Sequence, residues 1–138
     1  MKLKEAIKKT LKSLWNTTPI LLGTLMLASI ISVVVPNSVY SHLFSGKLFS
    51  DSLIGGLIGS LSAGSPITSY VLGGEFLKQG VSLIAVTTFL VSWVTVGIIQ
   101  WPAEAAILGR RFALYRNLSA FVLAIIVGIA TVLTLRLI

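Results

Sequence analysis

The chain has 138 residues, is 55% hydrophobic and only 11% charged, and has a mean hydropathy of +0.96. Soluble domains carry about a quarter charged residues, so this composition excludes an ordinary water-soluble globule. It points instead to an all-α integral membrane protein with room for three or four spans of ~20 residues. The net charge of +7 sits at segment ends and is not interleaved with aromatic rings. That placement excludes a nucleic-acid surface and fits the positive-inside rule and anionic lipid head groups. With no cysteine, disulfides and thiolate metal sites are excluded too.

Residues 1–15 carry Lys2, Lys4, Lys8, Lys9 and Lys12 with a single acid, Glu5. Leu3, Ile7, Leu11 and Leu14 recur at helical spacing beside this lysine face. The pattern predicts an amphipathic helix on the cytoplasmic membrane surface, anchored by Trp15. Residues 16–138 then form one transmembrane domain. Pro19–Val35 has no charge and predicts the clearest span. No convincing A-x-A cleavage site follows it, so a signal peptide is not expected. Pro36-Asn37 ends the span, and residues 36–52, with His42, Lys47 and Asp51, read as a polar connection.

Ser52–Phe76 begins as a helix with Gly55, Gly59 and Ala63 on one face and Gly56, Ser60 and Gly64 on the next. Such small residues allow close approach of neighbouring helices, and Gly55, Gly56 and Gly59 read as packing surface. Six of the 12 glycines fall between Gly55 and Gly74. At Gly64-Ser65-Pro66 the helix is expected to break, because Pro66 lacks an N–H and disfavours helical geometry at Ser65. Non-helical backbone at membrane depth persists only when buried in protein or facing a watery cavity, and in transporters such breaks bind solutes. Ser62, Gly64, Ser65, Pro66 and Thr68 are therefore the expected substrate-binding residues.

Residues 73–80 read as an irregular turn, and Val81–Trp101 as a second span. Thr88, Ser92 and Thr95 share one face of that span. They are expected to line the same cavity; otherwise they bond back to their own helix carbonyls. Trp101-Pro102-Ala103-Glu104 predicts a helix start. Arg110, Arg111 and Arg116 supply a second basic cluster, and Asn117 reads as the N-cap of a last span from Leu118 to about Leu135.

The two basic clusters decide between topologies. If residues 52–76 crossed fully, giving four spans, the arginines would face opposite the lysines, against the positive-inside bias. Three full spans plus one broken, re-entrant hairpin put both clusters in the cytoplasm, and that arrangement is expected. The protein would be multi-pass in the cell inner (plasma) membrane, with its N-terminus cytoplasmic.

Enzyme signatures are missing: there is no H-E-x-x-H, no G-x-S-x-G and no phosphate-cradling loop. No enzymatic activity, cofactor or metal is expected, and His42 is assigned no role. Glu75 reads either as a proton or cation site or as an interfacial carboxylate holding Lys78. Glu104 reads first as a helix-start residue. An ion or proton role, or pairing with Arg110 or Arg111, is its alternative.

Residues 59–72 (Gly-Ser-Leu-Ser-Ala-Gly-Ser-Pro-Ile-Thr-Ser-Tyr-Val-Leu), Gly80–Leu90 and Pro102–Arg111 resemble one repeat of a predicted permease family. That family includes YraQ-type proteins and ArsP-type organoarsenical exporters. The resemblance spans roughly residues 52–128. Where the family often carries cysteines near its Gly-x-x-Pro region, this chain has Ser62, Ala63 and Ser65, which argues against a thiol-seeking substrate. Family members hold two such repeats. The resemblance thus implies a transporter for a small polar or ionic solute that works as a parallel homodimer within the lipid bilayer. A non-transporting membrane subunit that binds a partner protein or anionic lipid is the alternative.

Overall fold

The computed structural model describes residues 3–62 and 64–138; Lys2 of the basic N-terminus and Ala63 of the small-residue face lie outside it. Seven helices and no strand occur among the described residues: α1 (Leu3–Val34), α2 (Asn37–Leu43), α3 (Leu48–Leu61), α4 (Pro66–Lys78), α5 (Leu83–Thr95), α6 (Trp101–Leu108) and α7 (Arg110–Leu137). By length and composition α1 and α7 are able to cross a membrane, whereas α3 and α5 are shorter apolar helices.

Glycine contacts fix how these helices run. A β-carbon at Gly55 would lie 2.8 Å from the Ala85 carbonyl carbon, and one at Gly59 would lie 3.1 Å from the Phe89 backbone. Position i of α3 therefore meets position i+30 of α5, and the two helices run parallel at backbone contact. Asp51 beside Ser82 and Gly64 beside Trp93 extend the same register. Two parallel helices joined through α4 require α4 to run back. Accordingly, α3 leaves one end of the molecule, the chain reverses between α3 and α4, and α4 returns to that end.

α7 runs antiparallel to α5: Thr88 packs on Gly128 and Gly97 is bonded to Asn117. α1 runs parallel to α4, with Thr24 against Thr68 and Ala28 in one apolar cluster with Leu72 and Phe89. This places the N-termini of α1 and α7 on the break side, so Lys4, Lys8, Lys9 and Lys12 share that end with Arg110, Arg111 and Arg116. Lys47, Lys78 and Arg136 lie at the other end. A second apolar cluster, of Tyr40, Val81, Ala85 and Val86, closes the base of the hairpin there. Burial, and secondarily the Glu75 carboxylate, push the Tyr40 phenol above its ordinary pKa.

Four local expectations change. The segment foreseen as a surface helix followed by a span is one continuous 32-residue helix, α1, with Pro19 inside it. Val81–Trp101 is not a single helix: α5 stops at Thr95 after 13 residues, or ~20 Å at 1.5 Å per residue. After residues 96–100, α6 continues away from α5 along the first turns of α7 and turns back at Gly109 (φ 92°). Gly73 and Gly74 are helical, because α4 reaches Lys78. Finally, Asn117 is inside α7 and not its cap.

Candidate functional site where two helix breaks meet

The first break begins at Ser62, whose extended backbone ends α3 and whose hydroxyl donates to the Ile58 carbonyl at 2.7 Å. Ser65 restarts the chain as the N-cap of α4, its Oγ accepting from the Thr68 N–H at 3.3 Å, and Pro66 takes the first helical turn. There its missing N–H is harmless. The proline thus starts a helix here instead of interrupting one.

A hydroxyl has one proton to give, which orders the chain of hydroxyls behind this cap. Thr24 donates to the Ile20 carbonyl at 2.7 Å. It must therefore accept from Thr68 at 3.2 Å, and Thr68 must in turn accept from Ser65 at 3.1 Å. The relay Ser65→Thr68→Thr24→Ile20 commits these protons to tying α4 to α1.

The second break, residues 96–100, is held by a different set of groups. The Gly97 N–H donates to Asn117 Oδ1 at 2.7 Å. The Asn117 amide donates in turn to Glu104 Oε2 at 3.1 Å and to the Ala113 carbonyl at 2.9 Å. Glu104 also accepts from Arg116 at 2.7 Å. One acid in the first turn of α6 therefore fastens both the loop and α7, and its ion-pair partner is Arg116, not Arg110 or Arg111.

The two breaks face each other. Trp93 Nε1 donates to the Gly64 carbonyl at 3.3 Å. Between the breaks lies a cavity of about 130 Å³ lined by Ser62, Gly64, Trp93, Val96, Gly97 and Gln100. The C-terminal ends of α3 and α5 and the N-terminal end of α4 converge on this region. Negative and positive helix ends thus border one space. Trp93 sits 3.1 Å from where a Gly64 β-carbon would be, so the wall leaves no room for a larger residue. On the other side of the second break, an open apolar groove of about 460 Å³ runs between Leu57, Ile98, Leu118 and Phe121.

Of the residues expected to bind substrate, Ser62 and Gly64 line the cavity, while Ser65, Pro66 and Thr68 form the cap behind it. Thr95 bonds back to the Val91 carbonyl at 2.7 Å. Thr88 and Ser92 are 0% exposed, and neither hydroxyl has a hydrogen-bond partner. Neither lines the cavity, and Thr88 is wedged between Gly56 of α3 and Gly128 of α7. Glu75 lies at the far end of α4, paired with Lys78 at 3.4 Å and taking a bond from Gln79 at 3.4 Å.

Sequence reasoning missed Gly97, Gln100 and Asn117 as parts of this region, and it missed the buried carboxylate of Asp51. One signal for the second break was present. A helix starting at Trp101-Pro102 requires the preceding helix to have ended.

A family model described as a predicted permease, of the ArsP type, matches residues 2–136. The match takes in α1, both breaks and α7, well beyond the 52–128 segment that carried the resemblance. No curated protein and no solved structure matches the chain. With both broken segments inside one family match that covers nearly the whole chain, this protein belongs to the ArsP-type family of predicted permeases.

Proposed function

We propose that the protein is a transporter for a small polar or ionic solute, bound where the two helix breaks meet. The observation that carries this reading is the cavity between residues 62–64 and 96–100, bordered by helix ends of opposite polarity. Interrupted helices with inward-facing ends are how membrane transporters offer backbone groups to a solute. At about 130 Å³ the space is smaller than the ~300–1,000 Å³ of pockets for drug-sized ligands, which favours a small solute. In this reading α1, the α5–α6 pair and α7 cross the membrane, while α3–α4 dips in and returns. The end that carries both basic clusters is cytoplasmic.

A second copy of the chain would complete the site. Leu61, Gly64, Pro66 and Ile67 at the hairpin tip are exposed, so one protomer leaves the cavity open on that side. Shared charge bias fixes one orientation for both copies and makes the pair parallel. The alternative, a lipid- or partner-binding subunit, draws support from the lysine-bearing start of α1, where Leu3, Ile7, Leu11, Leu14 and Trp15 are all exposed.

The test is flux in proteoliposomes against a panel of small inorganic and organic ions. Wild type is expected to move at least one of them, with Ser62→Leu and Gly97→Leu abolishing that flux while the protein remains folded and inserted. Unchanged flux in both variants would contradict the site.

A further inference from the structure

Asp51 is 0% exposed, and no role has so far been given to it. Its Oδ2 accepts from Ser82 Oγ at 2.5 Å and from the Gly46 N–H at 3.2 Å. Its Oδ1 is buried with no hydrogen-bond partner. Among the described residues the two ion pairs are Lys78–Glu75 and Arg116–Glu104, and neither involves Asp51. The other charged or titratable groups at this end are Tyr40 and His42 on α2, exposed Lys47 before α3, the Glu75–Lys78 pair on α4 and Arg136 on α7.

Burying a charge without a counter-charge is costly, and leaving one carboxylate oxygen without a donor adds to that cost. The bland role, a first-turn acid favoured by its own helix N-terminus, accounts for Oδ2. It leaves Oδ1 idle. The Asp51–Ser82 bond also has a mechanical position. It joins the first turn of α3 to Ser82, the N-cap of α5, so it clamps the two ends of the α3–α4 hairpin together at its base. A charge-neutralising ligand on Oδ1 would set how firmly that clamp holds.

We propose that Asp51, with Ser82, binds a sodium ion at the base of the broken hairpin. Binding there stands on the buried oxygen alone; its use as the coupling ion of transport rests on the reading above.

The test uses the purified full-length protein in detergent, with choline replacing sodium at constant ionic strength and pH. The wild-type unfolding temperature is expected to rise saturably with sodium, and Asp51→Asn is expected not to respond. Ser82→Ala keeps the carboxyl but removes one partner. It should weaken the sodium response about tenfold, the worth of one lost hydrogen bond. That variant decides the matter if Asp51→Asn does not fold. No sodium response in wild type, or a response surviving unchanged in the variants, would overturn the proposal. Solute flux measured on the same preparations tests transport separately. A cation signal lost in Asp51→Asn, with no flux even in wild type, would overturn transport and leave the cation site standing.

Discussion

Glycine does two different jobs in this protein. At Gly59 a β-carbon would fall 3.1 Å from the Phe89 backbone carbons and closer still to its carbonyl oxygen. That contact is with rigid backbone, so α3 and α5 must separate to admit it. Gly59→Ala should lower stability by about 1–3 kcal/mol, the usual cost of overpacking, read as a fall in unfolding temperature. Gly74 has open space around it inside α4. Gly74→Ala should therefore be neutral or stabilising by about 0.5–1 kcal/mol, because alanine favours a helix. Thr88 and Ser92 give a sharper separation of packing from function. Their hydroxyls satisfy no partner, so Thr88→Val and Ser92→Ala should leave stability unchanged or raise it. Loss of flux from either variant at unchanged stability would mark a hydroxyl used only during transport.

At the scale of elements, each break depends on a small polar device. Ser65→Ala removes the cap of α4 and one link of the relay to α1, and should cost about 1 kcal/mol. The loss should appear as faster amide exchange in the first turn of α4. Asn117→Leu strips the Gly97 N–H and Glu104 of their shared partner. It should loosen residues 96–100 and cost about 1–3 kcal/mol, because a buried donor is left unsatisfied. The two breaks were not equally legible in the sequence. Gly64-Ser65-Pro66 announces itself through backbone chemistry alone. Residues 96–99 form an apolar run with one glycine, and hydropathy carries straight through it. Asn117, reached from 20 residues away along the chain, takes the Gly97 N–H that a continuing helix would have used. Asp51 was illegible for a related reason. It follows a polar stretch and reads as loop until α5 returns to cover it. Surface lysines and apolar periodicity located α1, but whether it bends between its two halves was not encoded in either.

At the scale of the molecule, two independent features agree. The helix directions gather both basic clusters on the break side, and the parallel packing of α3 and α5 brings the hairpin back to its starting end. Positive-inside bias favours a re-entrant topology for residues 52–76; the glycine register gives, without reference to charge, a hairpin of that shape. Because the chain has no cysteine, single substitutions report sidedness without background. The decisive measurement is labelling of Lys47→Cys, Lys78→Cys and Arg110→Cys in intact cells with an impermeant thiol reagent. Labelling of positions 47 and 78 with protection of 110 is the predicted result of the proposed arrangement, in which residues 48–82 enter and leave by one face. Labelling of 110 with protection of 78 would mean that the segment crosses, and would contradict a binding site built where two breaks meet.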